Sequence, residues 1–320
     1  MGELFSTLID EVGAGGRVAL CVVVATRGST PQERGAKMLV TRDGRTVGTL
    51  GGGCVEAEVR RLALELIANG ESKLLNFSLD HDYGWDDGLI CGGVMDILVH
   101  VVDGSEQAGR FGDNARAIAA NRTARLELPI PGGQASYVEE IGPPPVLVIA
   151  GAGHVGQALA AVAAGMGFVV DVIDDRADMA SRARFPAART LIVASIHDAL
   201  SNYPVDANTY VVIVTRGHRH DGVVLSAVLD KPARYVGLIG SKSKIKQIFD
   251  SLHQGGVSKE KLLAVHAPIG LDIGAVAVPE IAISIAAELV AVRHGRANQP
   301  ASAMKFDEAQ LLQWLNRPRT

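Results

Sequence analysis

The sequence predicts an α/β protein, with a doubly wound parallel sheet in its C-terminal half and an α+β domain in its N-terminal half. Two observations predict the C-terminal sheet. From residue 146 onward, short and almost continuously apolar segments alternate with helical segments, as in sheets that are covered by helices on both faces. The first apolar segment leads directly into Gly-Ala-Gly-His-Val-Gly at 151–156, a glycine-rich turn that opens a helix.

The boundary between the halves is predicted at three consecutive prolines, residues 143–145, because prolines stiffen a connector and cannot continue a helix. We therefore expect an N-terminal domain over 1–142 and a doubly wound domain over 143–320. The second domain is predicted to have a helix over 155–164 and further helical stretches between its strands. Its strands are predicted at 146–150, 168–173, 190–193, 210–214 and 235–239.

The N-terminal half shows weaker patterns. Its first 16 residues are typical of an amphipathic helix. Residues 54–69 predict a second helix, because apolar residues between Val55 and Leu66 share one face and Gly70 can form a left-handed end. Residues 37–50 and 121–142 predict two hairpins. Strands are predicted at 17–26, 37–41, 46–50 and 94–102.

Composition excludes several classes of protein. The 320 residues carry a formal net charge of −4, which argues against broad nucleic-acid binding. No apolar run approaches the roughly 20 residues that a membrane helix needs. The chain has three cysteines, and an odd number in a long chain does not suggest a disulfide framework. A reducing cytoplasm is the expected compartment.

The glycine turn after the first C-terminal strand predicts an anion site. Gly151, Gly153 and Gly156 permit a tight turn and close approach of backbone N–H groups to a phosphate, and His154 lies where the helix begins. Asp174 ends the next strand, near the position about 20 residues on where an acidic residue binds a ribose. Any phosphorylated ligand could use such a turn. The alternative is that the glycines only let strand and helix pack closely.

Further loops are expected to join this turn in one crevice, because the carboxyl ends of parallel strands meet at one edge of a sheet. These loops are residues 215–221, 240–246 and 266–275, and together they indicate a site for an anionic ligand. Alternatively, the lysines form a solvated helix face and the histidines a polar surface loop. A metal site at 218–221 has weak support from its spacing. The candidate binding residues are His218, His220, Gly240, Ser241 and Lys242.

Two cysteines lie beside glycines at the boundaries of predicted elements. Cys54 follows Gly52 and Gly53 at the start of a predicted helix, where the helix dipole and unpaired N–H groups favour a thiolate. Cys91 precedes Gly92 and a strand, so both thiols could face one ligand. The alternatives are two unrelated small residues in tight turns, a zinc site that lacks a Cys-x-x-Cys pair, or a redox switch.

The other residues near these thiols have simpler interpretations. Cys21 lies in the middle of an apolar strand and is expected to pack as a small hydrophobic residue. Glu56 opposes the helix dipole near Cys54, and its spacing predicts an ion pair with Arg60 one turn later.

Several long segments resemble the xanthine dehydrogenase accessory factors of the XdhC/CoxI family. Residues 28–59 and 91–99 resemble the family's N-terminal domain. Residues 148–160, 235–246 and 266–295 resemble its C-terminal Rossmann-like domain. The resemblance covers most of the chain and is weakest over 103–142.

The resemblance implies a maturation factor for molybdenum hydroxylases that performs no turnover of its own. Such a protein binds molybdenum cofactor (molybdopterin), supports its sulfuration with a cysteine desulfurase, and delivers it to the apo-enzyme. Cys54 and Cys91 fall at the family's two cysteine positions and are expected to contact the molybdenum end, since thiolates are soft ligands. A cytoplasmic homodimer is expected. The alternative function is an NAD(P)-dependent oxidoreductase that uses the glycine turn, Asp174, and His218 or His220 as acid or base.

Overall fold

The structure is a computed structural model that describes residues 2–79, 92–133, 135–216 and 221–296. The chain divides into two compact units, Met1–Pro143 and Pro144–Thr320. Within the described ranges, every helix is too short or too polar to span a membrane.

The first unit contains a five-stranded antiparallel sheet and a separate two-stranded hairpin. The sheet order is β3-β2-β1-β5-β4, and β6 pairs with β7. The helices are α1 (Gly2–Gly13), α2 (Gly53–Asn69) and α3 (Ser105–Ala119). The strands are β1 (Val18–Arg27), β2 (Lys37–Thr41), β3 (Thr46–Gly48), β4 (Lys73–Ser78), β5 (Val94–Val102), β6 (Ala124–Pro129) and β7 (Ser136–Ile141).

Both faces of the first sheet are covered. Alternate residues of a strand point to opposite faces, and in β1 both sets are buried. Leu20 belongs to the apolar cluster that includes α1 and α3, whereas Cys21 belongs to the cluster that includes α2. The continuous apolar run of β1 therefore reflects a strand at the centre of the unit.

The second unit is a doubly wound parallel sheet in the order β10-β9-β8-β11-β12. Helices α4 and α9 pack on one face, and α5, α6 and α7 pack on the other. Its strands are β8 (Val146–Ala150), β9 (Val169–Asp174), β10 (Thr190–Val193), β11 (Thr209–Ile213) and β12 (Tyr235–Leu238). Its helices are α4 (His154–Gly165), α5 (Ile196–Asn202), α6 (Asp221–Ser226), α7 (Lys242–Gln254), α8 (Lys259–Leu263) and α9 (Val278–Arg293).

The predicted fold class is confirmed, and the differences concern individual elements. All five strands of the second unit lie within one residue of their predicted bounds. In the first unit β3 is shorter than predicted because Gly48 has a φ of 90°, which ends the extended conformation. Strand β4 and helix α3 were not predicted. Helix α3 is mostly polar, and it buries only a few apolar residues, such as Ala108 and Phe111, against the core.

Candidate functional site

The glycine turn of the second unit joins β8 to α4, and two of its glycines are required by packing. Gly151 has a φ of 117°, and a β-carbon there would lie 2.6 Å from the Val214 carbonyl oxygen. A β-carbon at Gly156 would lie 2.2 Å from the Gly151 carbonyl oxygen. Both distances are far below van der Waals contact, so these positions hold glycine for close approach of strand, loop and helix.

Two of the other four residues of the turn face open space. Gly153 is the N-cap of α4, and a β-carbon there would meet no atom within 4 Å. His154, the first residue of α4, is exposed. A helix N-terminus with an open backbone can accept an anionic group, so Gly153 and His154 are the part of the turn that a ligand can reach.

Asp174 ends β9 and is fully occupied by contacts within the protein. One carboxylate oxygen accepts hydrogen bonds from the Ala152 N–H (2.7 Å) and from Nη2 of Arg176 (2.9 Å). The other accepts from the backbone N–H (3.1 Å) and Nε (2.8 Å) of Arg176. A carboxylate has about four acceptor positions, and here all are used. Asp174 therefore fastens the glycine turn to β9, and no acceptor is left for a ribose hydroxyl.

The ionisation of Asp174 follows from the same contacts. Burial raises the pKa of this carboxyl, but hydrogen bonds from Arg176 and from the Ala152 N–H outweigh burial, and the pKa falls below its ordinary value. Asp174 is therefore a buried carboxylate whose charge Arg176 compensates.

Replacing Asp174 with asparagine should destabilise the second unit by about 2 kcal/mol, because the charge partner of Arg176 is lost while one oxygen acceptor remains. Urea unfolding followed by circular dichroism measures the effect. Asp175→Asn is the matched control, because that side chain is 66% exposed and its loss should change stability by less than about 0.5 kcal/mol. Equal stabilities for the two variants would contradict the fastening role of Asp174.

A crevice of about 400 Å³ lies beside Asp174, where strands β9, β10 and β11 end. It contains three side chains that were not predicted to belong to a site: Arg176, His197 and Arg216. Its apolar lining includes Ile196, Val223 and Val224. The crevice combines two guanidinium groups, the carboxylates of Asp174 and Asp175 and an apolar wall at the carboxyl edge of a parallel sheet, which is where such sheets bind ligands. The signal available in the sequence was the position of Arg176 and Arg216 within three residues of the ends of two strands.

Among the predicted residues near 240, Ser241 has a structural role. The Ser241 hydroxyl accepts a hydrogen bond from the Lys244 N–H at 3.2 Å and so caps α7. Lys244 forms an ion pair with Asp221, whose side chain is buried. Lys242 is exposed on the first turn of α7, and Gly240 lies just before the cap. His218 and His220 lie outside the described residues.

The loop at 266–270 is fixed to α9 through Glu288. The Glu288 carboxylate accepts hydrogen bonds from the Tyr235 hydroxyl (2.5 Å) and the Gly270 N–H (2.8 Å), and it lies 3.0 Å from Nδ1 of His266. Burial raises the pKa of Glu288, but the hydrogen bonds from His266, Tyr235 and Gly270 outweigh burial and hold the pKa below its ordinary value. The network anchors this loop, which was predicted to line the crevice.

In the first unit, Cys54 lies in the first turn of α2, as predicted. Gly52 is the N-cap of this helix, and the Cys54 side chain is partly exposed. A β-carbon at Gly53 would meet no atom within 4 Å, so the surface next to the thiol is open. Cys21 differs from Cys54 in its exposure, because it is fully buried, and burial raises the pKa of its thiol to about 12.

The loop before Cys54 is held by Glu56. Its carboxylate accepts hydrogen bonds from the Thr49 hydroxyl, the Leu50 N–H (2.8 Å) and the Gly51 N–H (3.0 Å). The predicted ion pair between Glu56 and Arg60 is wrong. Nε of Arg60 instead donates to the Gly44 carbonyl oxygen at 2.6 Å, because unsatisfied loop N–H groups are nearer to the carboxylate than the next turn is.

A five-residue segment, Gly28 to Gln32, contacts both glycine turns that adjoin the predicted cysteines. A β-carbon at Gly51 would lie 2.1 Å from Cγ of Gln32, so the turn before Cys54 packs directly on the segment. Ser29 forms a β-bridge with Gly92, and a β-carbon at Gly93 would lie 2.2 Å from the Ser29 carbonyl oxygen. The segment therefore contacts both the turn that precedes Cys54 and the turn that contains Gly92.

Cys91 itself lies outside the described residues. Gly92 faces open space, because a β-carbon there would meet no atom within 4 Å. Within the described ranges, no three or more His, Cys, Asp and Glu side chains are grouped to hold a metal ion.

Comparison with known proteins decides the family. Residues 147–289 match the family described as the XdhC Rossmann domain. Residues 12–78 match the XdhC and CoxI family. The chain belongs to the XdhC and CoxI family. The first matched region contains the glycine turn, Asp174 and Glu288, and the second contains Cys54 and the Gly28–Gln32 segment.

Relatives of this XdhC and CoxI family chain span a range of lengths. YqeB of Escherichia coli K12 is 30% identical to this chain over an alignment that covers 89% of the chain and 45% of YqeB. A Bacillus subtilis 168 protein described as a probable xanthine dehydrogenase subunit is 27% identical, with 90% of the chain and 97% of that protein aligned. The molybdenum cofactor insertion chaperone PaoD of Escherichia coli K12 is 25% identical, with 89% of the chain and 86% of PaoD aligned.

A crystal structure of a Bacillus halodurans protein described as a xanthine dehydrogenase shares the fold. The TM-score is 0.81 at 24% identity, with 94% of this chain and 97% of the other covered. At that identity the likeness concerns the fold of the XdhC and CoxI family and not the activity.

Proposed function

We propose that this chain binds molybdenum cofactor and supports its sulfuration and its insertion into a xanthine dehydrogenase-type molybdenum hydroxylase. A cysteine desulfurase would supply the sulfur. The observation that carries the proposal is the packing of the Gly28–Gln32 segment against the turns next to both family cysteine positions. The names of PaoD and of the Bacillus subtilis relative support the same client class.

The residues around Cys54 fit such a cofactor. A partly exposed thiol at a helix N-terminus can act as a soft ligand toward molybdenum. Gly53 and Gly92 leave open the space that side chains would fill, so a bulky planar group can approach the backbone there. When bound, the cofactor would supply the molybdenum centre that is sulfurated before its insertion into the client enzyme. The protein's part is to hold that centre and shield it with Cys54 and Cys91.

The second unit offers groups for a phosphate-bearing ligand. The open backbone at Gly153 and the exposed guanidinium of Arg216 fit an anionic group. An NAD(P)-dependent oxidoreductase has less support, because the carboxylate of Asp174 is already satisfied by Arg176 and the glycine turn. Calorimetry with NAD(H) and NADP(H) distinguishes the two functions. An oxidoreductase should bind one of these nucleotides at micromolar concentration and transfer hydride, whereas the proposed carrier should do neither. Light scattering of the purified protein tests the proposed homodimer.

Replacing Cys54 with serine should reduce the molybdenum cofactor that co-purifies from a molybdopterin-competent host by about tenfold, a loss of about 1.4 kcal/mol of binding free energy. The reason is that a hydroxyl is a poor ligand for a soft metal. The bound molybdenum and pterin are measured by mass spectrometry and fluorescence. The combined Cys54→Ser and Cys91→Ser variant should retain still less cofactor.

The matched control is Cys21→Ala, which removes a thiol that is fully buried in β1. This variant should lose some stability and keep its cofactor. If the Cys54 variants retain cofactor and still support activation of the client enzyme in full, the thiol role is wrong.

A further inference from the structure

Helix α9 presents an apolar stripe to solvent, although it covers one face of the sheet in the second unit. Ile283 is 53% exposed, Val290 is 38% exposed, and Ala287 between them is partly exposed. Within residues 281–292 of this helix the charged residue is Glu288, which is buried. Three turns of α9 are therefore without an exposed charge.

Helix α7, on the opposite face of the same sheet, shows the ordinary pattern of a covering helix. It exposes Lys242, Lys246 and Asp250 between its buried apolar residues. Helix α4, which packs beside α9, instead has no Asp, Glu, Lys or Arg over its whole length and exposes Val162. An exposed apolar surface from which charges are absent is typical of the centre of a protein interface.

The exposed positions of α9 have the spacing of helices that pack along one another. Glu280, Ile283, Ala287, Val290 and His294 are separated by three, four, three and four residues, and we call them the α9 stripe. Alternation of three and four is the a/d repeat of paired helices. Because the residues on either side of the stripe are buried within the unit, this line is the part of α9 that another helix can reach.

The two ends of the α9 stripe carry opposite charges. Asp272 and Glu280 are exposed at its N-terminal end, and Arg293, His294 and Arg296 are exposed at its C-terminal end. The helix dipole favours acidic and basic residues at these ends, but it does not account for the uncharged middle. Opposite ends with an apolar centre make the stripe complementary to itself when a second stripe runs antiparallel.

The residue numbers show how such a pair would match. With a twofold axis at Ala287, Ile283 of each copy lies opposite Val290 of the other copy, because both are three or four residues from the axis. Glu280 then lies opposite the basic end of the other helix. Alanine at the axis lets the helices approach closely, since the distance between packed helices depends on the side chains at the contact.

We propose that the α9 stripe is the interface through which two copies of this chain associate, with their α9 helices antiparallel. A twofold interface requires one patch that is complementary to itself, and the stripe has that property in both charge and shape. An unrelated partner would require no such symmetry within a single helix. The inference rests on the homodimer proposed above and assigns its interface.

Sedimentation equilibrium of the full chain tests the assignment. Ile283→Lys changes an exposed side chain, so folding should be preserved, and it places an unpaired charge opposite Val290 of the second copy. We expect it to raise the dissociation constant of the dimer at least about 100-fold. Val223→Lys is the matched control, because Val223 is 50% exposed on α6, which packs on the opposite face of the sheet. It should dimerise as the parent protein does, and circular dichroism checks that both variants are folded.

Disulfide cross-linking tests the antiparallel arrangement. Ala287→Cys, made together with Cys54→Ser and Cys91→Ser, should form a covalent dimer under mild oxidation, because the axis brings the two copies of position 287 together. Val223→Cys in the same background should stay monomeric on a denaturing gel.

Two results would overturn the proposal, and they differ in what they leave standing. A dimeric parent whose folded Ile283→Lys variant associates equally tightly would place the interface elsewhere, while the homodimer itself would stand. A monomeric parent would overturn the interface and the homodimer together. Neither result bears on the cofactor role of Cys54, which retention of molybdenum cofactor measures separately.

Discussion

Replacing Gly151 with alanine should destabilise the second unit by about 3–5 kcal/mol, the combined effect of backbone strain and overpacking. The added β-carbon would lie 2.6 Å from the Val214 carbonyl oxygen and 2.9 Å from the Thr215 nitrogen, and both are backbone atoms that cannot move aside cheaply. The φ of 117° is also unfavourable for any L-residue with a side chain. Because domains are stable by only about 5–15 kcal/mol, this loss would be a large fraction of the stability of the unit. Urea unfolding followed by circular dichroism measures the change.

Gly153→Ala is the matched control for this prediction. Gly153 has a φ of −68°, and an added β-carbon meets no atom within 4 Å, so we expect a loss below about 1 kcal/mol. The same methyl group would occupy the open side of the turn and weaken binding of AMP used as a phosphate-bearing probe. A Gly151→Ala protein whose free energy of unfolding lies within about 1 kcal/mol of the parent would show that the turn tolerates a side chain there, and would contradict the packing role of Gly151.

The fold of the second unit was largely predictable because its information is local. Each strand is a short apolar run, each connection carries glycine or polar residues, and a parallel sheet with right-handed crossovers leaves few topologies. The first unit was less predictable, since helix α3 is mostly polar and interrupted by Gly109 and Gly112. Its helical state depends on packing against α1, and the local periodicity of the sequence does not encode this packing.

The residues of the candidate sites were predictable by type, but their contacts were not. The positions of Asp174 and Glu56 predicted a ribose ligand and an i,i+4 ion pair. In the structure both carboxylates accept hydrogen bonds from N–H groups of glycine-containing loops. Tight loops leave backbone donors unpaired, and the nearest carboxylate satisfies them. Spacing along the chain does not encode which donors lie nearest, so these roles required the three-dimensional structure.

Replacing Glu56 with alanine should destabilise the first unit by about 3 kcal/mol and reduce cofactor retention at Cys54. The carboxylate accepts three hydrogen bonds from residues 49–51, and hydrogen bonds to a charged group contribute about 1.5–3 kcal/mol each before partial recovery by water. Leu50 is fully buried, so its N–H group would lose its partner within the protein. Glu58→Ala on the same helix is the control, because its ion pair with Arg61 lies at the surface and should contribute less than about 1 kcal/mol.

The stability contributed by Glu56 should also depend on pH. The hydrogen bond from Thr49 outweighs the opposing effect of burial, and with the N–H groups of Gly51 and Leu50 it holds the pKa of Glu56 below its ordinary 4.5. A carboxyl with a depressed pKa in the folded state contributes fully above the unfolded value and loses that contribution as pH falls through the folded value. The difference in unfolding free energy between the parent and Glu56→Gln should therefore be constant above about pH 5.5 and shrink below pH 4.5. A difference that stays constant down to pH 3, about one and a half units below the ordinary value, would show that the loop does not depend on the charge of Glu56.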